Sequence, residues 1–154
     1  MPHIVSIVCK PVDVEQKPAD HYARVPVEHA LLIAGHGIEG DCKGGTKDRH
    51  LNIMLAEVVA ELRAEGFRAA EGELGEQIVV AGLQSELLKA GIRLRFGETA
   101  IVEIVEPRTG CARFVHIQKK TKESAKGKIG YMASVVVGGW IAENDEVSLE
   151  SSAQ

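Results

Sequence analysis

Short apolar stretches recur along the chain between glycine and proline punctuation, and only one of them carries the helical period. His3 to Cys9 is apolar and β-branched, the pattern of a strand covered in part on both faces. Residues 10 to 28 hold Pro11, Pro18 and Pro26 among charges and read as a loop or irregular edge. His29 to Ala34 predicts a short strand. Residues 35 to 48 place five glycines among polar residues, a long loop of the kind that in compact domains is usually functional or disordered. His50 to Met54 predicts another strand. From Leu55 to Glu65 the period changes. Leu55, Val58, Val59 and Leu62 fall on one stripe, with Glu57, Glu61 and Arg63 off it, so this segment is an amphipathic helix. Gly66 is its stop signal. Gln77 to Val80 predicts a strand, and Ser85 to Lys89 a short helix closed by Gly91. Strands follow at Ile92 to Phe96, Ala100 to Val105, Met132 to Val137 and Glu146 to Leu149. Many short strands against one good helix predict a mainly β fold, a barrel or folded-over sheet with one or two helices. A parallel βαβ array does not fit.

Length and composition narrow this further. A chain of 154 residues is one domain's worth, with its core expected at about residues 30 to 150. A net charge of −4 argues against a nucleic-acid coat. The three cysteines, at 9, 42 and 111, are an odd number with no Cys-x-x-Cys spacing, so neither a zinc ribbon nor a disulfide framework is indicated. A reducing compartment, the cytoplasm, is the expectation. The N-terminal segment lacks a basic n-region and reads as a first strand. No apolar run approaches membrane-spanning length.

Cys111 is the residue with the most chemistry around it. It follows the alternating run Thr99 to Glu106 and the turn at Pro107, and reads as lying at a strand end. Arg108 stands three residues before it and Arg113 two after. A thiol beside two fixed positive charges ionises more readily, and a thiolate attacks electrophiles or ligates soft metals. Elsewhere, Gly35-His36-Gly37-Ile38-Glu39-Gly40 spells a dinucleotide pattern, but the residues after it, Asp41 to Thr46, are poor helix material, so the phosphate turn of that fold is not formed. Two readings of the loop stand: a structural turn, or an anion cradle of backbone N–H groups helped by Lys43, Lys47 and Arg49. His29, His36 and His50 share one region with Asp41 and Cys42 without any recognised zinc spacing. His116 is either a base for the thiol or an exposed loop histidine. Lys119 to Lys128, with five lysines, reads as a mobile surface loop. Trp140, after Gly138 and Gly139, reads as turn packing.

Taken together these segments resemble the MOSC domain, the module named from the C-terminal part of molybdenum cofactor sulfurases. The resemblance runs through Gly37-Ile38-Glu39-Gly40-Asp41, Gly45 and Arg49, then Gly72 to Ile78, Val80-Ala81-Gly82-Leu83, Gly91 to Leu94 and Phe96-Gly97. It continues through Cys111, Ala133 to Gly139 and Ile141 to Val147. Two positions depart from the family pattern. Gln77 stands where the family usually has asparagine after Gly-Glu, and Lys43 stands where many small bacterial members have histidine.

The resemblance implies a β-barrel like the pyruvate kinase barrel domain. It implies that Cys111 carries sulfur as a persulfide or ligates molybdenum, and that Asp41, Lys43, Gly45, Arg49, Arg108 and Arg113 surround the molybdenum cofactor (molybdopterin). Soft thiolates suit a dithiolene-bound metal, and a cationic, N–H-rich loop suits the cofactor's phosphate. The expected function is a cofactor carrier or sulfur-transfer accessory that works without pyridoxal phosphate. Two alternatives stand beside it: a small molybdoenzyme reducing N-hydroxylated compounds, and a noncatalytic docking module. The chain has no flavin, iron–sulfur or nicotinamide motif, so a reductase would need a separate electron-donor protein. Expected partners are therefore proteins of molybdenum cofactor biosynthesis or electron donors, with neither nucleic acid nor membrane.

Overall fold

Eleven strands, two α-helices and two 3-10 turns make up the described part of the chain, a computed structural model covering residues 1–9, 25–40, 50–109, 112–120, 123–125 and 127–150. The strands are β1 (His3–Cys9), β2 (Val25–Val27), β3 (His29–Ile33), β4 (Gly37–Ile38), β5 (Leu51–Leu55), β6 (Ile78–Ala81), β7 (Arg93–Phe96), β8 (Ala100–Pro107), β9 (Tyr131–Val137), β10 (Gly139–Ala142) and β11 (Val147–Glu150). The helices are α1 (Ala56–Ala64) and α2 (Ala112–Gln118), and the 3-10 turns are Ser85–Leu87 and Glu123–Ala125.

One sheet has eight strands in the order β11-β7-β8-β9-β5-β6-β1-β2, and a second has the order β10-β3-β4. Every pairing is antiparallel except β5 with β6, which α1 connects as a crossover. The large sheet does not close by a continuous ladder. Its first strand nonetheless reaches the segment that opens its last. His3 bridges Glu146, the Ile4 N–H donates to the Asp145 carbonyl at 2.9 Å, and the Val147 N–H donates to the Pro2 carbonyl at 2.9 Å.

Two apolar clusters hold the fold. The inner one gathers Ile4, Ile7, Leu51, Ile53, Ile78, Phe96, Val102 and Ile104 between the sheets. The outer one packs Met54 and Val79, on the opposite sheet face, under α1, α2 and the segment that follows α1. All five residues of β5 are buried, because both of its faces are covered. Leu51, Ile53 and Leu55 point to the inner cluster and Met54 to the outer.

α1 forms where the stripe predicts it and presses Val59 and Leu62 onto the outer cluster. It ends in a Schellman turn, with the Gly66 N–H donating to the Arg63 carbonyl and the Phe67 N–H to the Leu62 carbonyl. Buried Phe67 over buried Leu62 completes that motif.

Four sequence expectations change. The proline-rich stretch ends in β2, with Pro26 paired to Val8 at the sheet's outer edge, where a missing N–H costs no ladder bond. The glycine loop contains β4, a two-residue strand on β3. Gly139–Ala142 is strand β10, so Trp140 pairs with Leu31 and stands 62% exposed beside His29. The described part of the lysine-rich stretch is anchored. Lys128 donates to Glu65 at 2.9 Å, Lys120 Nζ lies 5.4 Å from the centre of the Phe67 ring, and Ala125 is buried. These cations gather at the C-terminal end of α1, where the helix dipole favours them.

Candidate functional site

β8 stops at Pro107, opposite Tyr131, and α2 begins at Ala112, so the residues after Cys111 are helical and His116 lies exposed on a helix. The strand predicted to carry the thiol ends four residues before it. Cys111 itself lies outside the described residues, but both flanks are fixed. The Arg108 N–H donates to the Gly130 carbonyl at 2.9 Å, extending the β8–β9 contact by one residue. The buried Arg108 side chain donates from Nη1 to the Leu74 carbonyl at 2.6 Å and to that of Ile129 at 3.4 Å. Its guanidinium sits 5.6 Å from the centre of the Phe114 ring. Phe114 is fully buried, 6.3 Å from Phe67, and pins α2 to the outer cluster. Arg108 and Phe114 stand three residues either side of Cys111. The arginine predicted as a cofactor ligand thus spends donors on carbonyls of the frame, with its charge over Phe114 of α2. Arg113 is on α2, its side chain outside the described residues.

The glycine loop is anchored at its two ends. The Gly35 N–H donates to the Val135 carbonyl at 3.0 Å. Gly37 has φ +122° and lies against His50; a Cβ there would come within 3.1 Å of the His50 carbonyl oxygen, so the approach needs glycine. His50 closes the loop. It is buried, its N–H donates to the Ala133 carbonyl at 2.9 Å, and its Nδ1 accepts the Val135 N–H at 3.1 Å. A backbone N–H only donates, so the neutral ring carries its proton on Nε2. Asp41, Lys43, Gly45 and Arg49, as well as Lys47 and Cys42, lie outside the described residues.

A buried polar relay joins these two regions. Gln77 Nε2 lies 3.5 Å from the His50 carbonyl, and Gln77 Oε1 accepts the Asn52 N–H at 2.6 Å. Asn52 Nδ2 donates to the Gly75 carbonyl at 3.2 Å, and the neighbouring Leu74 carbonyl takes Arg108. Gly72 to Gln77 therefore forms a rail between the end of the glycine loop and the start of the cysteine segment. Glu76 shapes the rail by accepting the Gly72 N–H at 2.7 Å and the Leu74 N–H at 3.2 Å. Along β9, whose neighbours these residues are, His50 and Arg108 stand four positions apart, about 13 Å. Sequence reasoning overlooked Asn52 in this role. Its signal was a polar residue inside the apolar run Leu51-Asn52-Ile53, where burial demands partners.

Among the described residues no group of three or more His, Cys, Asp or Glu side chains is placed to hold a metal ion. None of their helices is long and apolar enough to cross a membrane. By sequence the two segments offer two thiols, Cys42 and Cys111, with Lys43, Lys47 and Arg49 on a glycine-rich backbone and the charge of Arg108, residue types of the kind that suit a soft metal carried on a phosphorylated organic group.

The model of the MOSC domain matches residues 40–148. Several solved structures share the fold, three of them as follows. YiiM from Escherichia coli superposes with a TM-score of 0.71 at 20% identity, over 99% of this chain and 71% of its own. YiiM from Geobacillus stearothermophilus gives 0.74 at 20% identity, over 98% and 76%. The YuaD protein from Bacillus subtilis gives 0.75 at 18% identity, over 96% and 94%. No curated protein sequence matches the chain.

Proposed function

The chain belongs to the MOSC domain family, and on that premise we propose that it binds molybdenum cofactor or a pterin precursor as a carrier or sulfur-transfer accessory. The observation that carries the reading is the relay from His50 through Gln77, Asn52 and the 72–77 rail to Arg108. It fastens the ends of two chemically suited segments, far apart in sequence, to one buried frame.

In this reading Lys43, Lys47 and Arg49 hold the phosphate, with Gly45 leaving backbone N–H groups open to it. Asp41 would stand with them among the residues that hold the cofactor. Arg108 and Arg113 favour the Cys111 thiolate. That thiolate would ligate the metal, or would attack the outer sulfur of a persulfide donor, forming Cys111–S–SH and releasing the donor's thiolate. When bound, the cofactor supplies the oxygen-atom or sulfur-atom chemistry, and the protein supplies binding and orientation. The architecture proposed with this function is a barrel whose seam runs between β1 and β11. The setting is the cytoplasm, with cofactor-biosynthesis or electron-donor proteins as partners.

The test is metal and persulfide analysis of freshly purified protein, beside a Cys111→Ser variant, followed by an N-hydroxylamine reduction assay with an artificial electron donor. Transient molybdenum or a persulfide on Cys111, lost in the variant and without turnover, is the expected result. Tightly held molybdenum with turnover supports the reductase instead. Neither metal, pterin nor persulfide on the wild-type protein overturns both and leaves the docking module.

A further inference from the structure

A cavity of about 260 Å³ lies on the outer sheet face, between β1 and β6 below, α1 at one side and the segment 69–76 at the other. Its walls are Val5, Val59 and Val79, with Ala56 and Ala69. Four polar side chains line it: Ser6, Arg63, Glu71 and Glu76. Glu76 also shapes the 72–77 rail; the other three lie outside the site proposed above.

Ser6 is the informative residue. It stands opposite Val79 across the β1–β6 ladder, beside a bulge that lets Val5 and Ser6 both leave the inner core. The residue is only 4% exposed, it lines the cavity, and its hydroxyl has no partner among the described residues. The hydroxyl is thus open to the cavity and free to bond what enters it, and an alanine there removes no bond of the described residues. Glu76 is 3% exposed, and among the described residues its carboxylate accepts two N–H groups of about four it can take. Arg63 gives Nη2 to the Ala69 carbonyl at 2.8 Å, and its other N–H groups have no acceptor among the described residues. Glu71 stands exposed at the rim.

We infer that this cavity is a binding site for a small zwitterion of the α-amino acid class with a short aliphatic side chain. The ammonium donates to Glu76 and to Ser6 Oγ, and the carboxylate accepts from Arg63. The side chain lies against the three valines. The volume is the share of roughly nine liquid waters, room for an amino acid of valine's size with water beside it. A plain anion would face Glu71 and Glu76, and a plain cation would leave Arg63 unmatched. Only a ligand carrying both charges answers each group on the wall.

The experiment is calorimetric titration of the whole protein with L-valine, valinamide and 3-methylbutanoate, repeated on Ser6→Ala and Arg63→Gln, with melting temperatures in parallel. L-Valine is expected to bind saturably, and each one-charge analogue at least about tenfold more weakly. Ser6→Ala is expected to melt at the same or a higher temperature than wild type without ligand, yet to bind L-valine about tenfold more weakly. That pairing separates a ligand-facing hydroxyl from a structural one. No saturable heat with L-valine, or equal affinity in both variants, overturns the proposal and leaves a solvent-filled groove. Neither result bears on Cys111 or the cofactor.

Discussion

Asn52 and Gln77 hold each other twice: the Asn52 N–H donates to Gln77 Oε1 at 2.6 Å, and the Gln77 N–H donates to the Asn52 carbonyl at 3.0 Å. The first bond goes to a side chain just where the β5–β6 ladder begins, one residue before the paired Ile53 and Ile78. Gln77 thus starts the parallel pairing and anchors the relay at once. Gln77→Leu should cost about 1–3 kcal/mol in chemical denaturation, because the buried Asn52 N–H loses its acceptor. Gln77→Asn, which restores the usual family residue with a shorter reach, should fall between wild type and leucine. Equal stability of all three would show that the relay contributes nothing.

Gly130 lies between Arg108 and β5, with φ +103°, and a Cβ there would meet the Ile53 carbonyl oxygen at 2.7 Å and press on Asn52 Oδ1. Backbone cannot give way as a flexible side chain would. Gly130→Ala is expected to destabilise the domain by about 4 kcal/mol or more, in the range reserved for strained or overpacked sites. Urea midpoints measure it, and a loss under about 1 kcal/mol would contradict the packing described.

Cys111 should be the fastest of the three thiols in timed alkylation at mildly acid pH, read by mass spectrometry. In the proposed reading Arg108 and Arg113 favour its thiolate, whereas Cys9 is half-buried at the end of β1. Cys42, beside Lys43, is the competitor. Labelling of Cys42 first, with Cys111 inert, would move the chemistry to the glycine loop. Cys111→Ser should keep the fold while losing metal ligation or persulfide.

The Tyr131 phenol is held above its usual range, chiefly by burial and further by the negative charge of Glu86. Its folded-state pKa exceeds the unfolded one, so its contribution to stability is complete below about pH 10 and is lost as pH rises through that window. Ultraviolet titration should show one of the two tyrosines ionising later than a free phenol, and Tyr131→Phe should remove that late step. Stability that falls equally steeply above pH 10 in both proteins would discount Tyr131 as the cause.

Sequence pattern was a good guide wherever a segment's own period matched its environment. The Leu55–Leu62 stripe predicted α1, and the β-branched runs predicted β1, β8 and β9. It failed where the partner alone decides. Gly139 and Trp140 lack a strand-like run, and β10 exists because β3, about a hundred residues earlier, offers a ladder. α2 has seven residues, too few for a period to declare itself, and is set by Phe114 packing on Phe67. Of the ionisable residues expected in the candidate site from charge and spacing, the described residues fix the side chain of Arg108, which is turned onto carbonyls of the frame. The relay was not legible in the sequence, because the value of Asn52 and Gln77 lies in backbone groups that only the fold brings to them.

The meeting of His3 with Glu146 has a consequence for assembly. The contacts that secure β1 to the segment before β11 come from opposite ends of the described chain, so they close about the longest loop the domain offers. Such closure carries a high entropic cost before any contact rewards it, and it cannot happen until residue 147 has left the ribosome. The nascent domain therefore holds its inner apolar face open until late, and refolding should be slow, on the millisecond-to-second scale of strongly non-local β proteins.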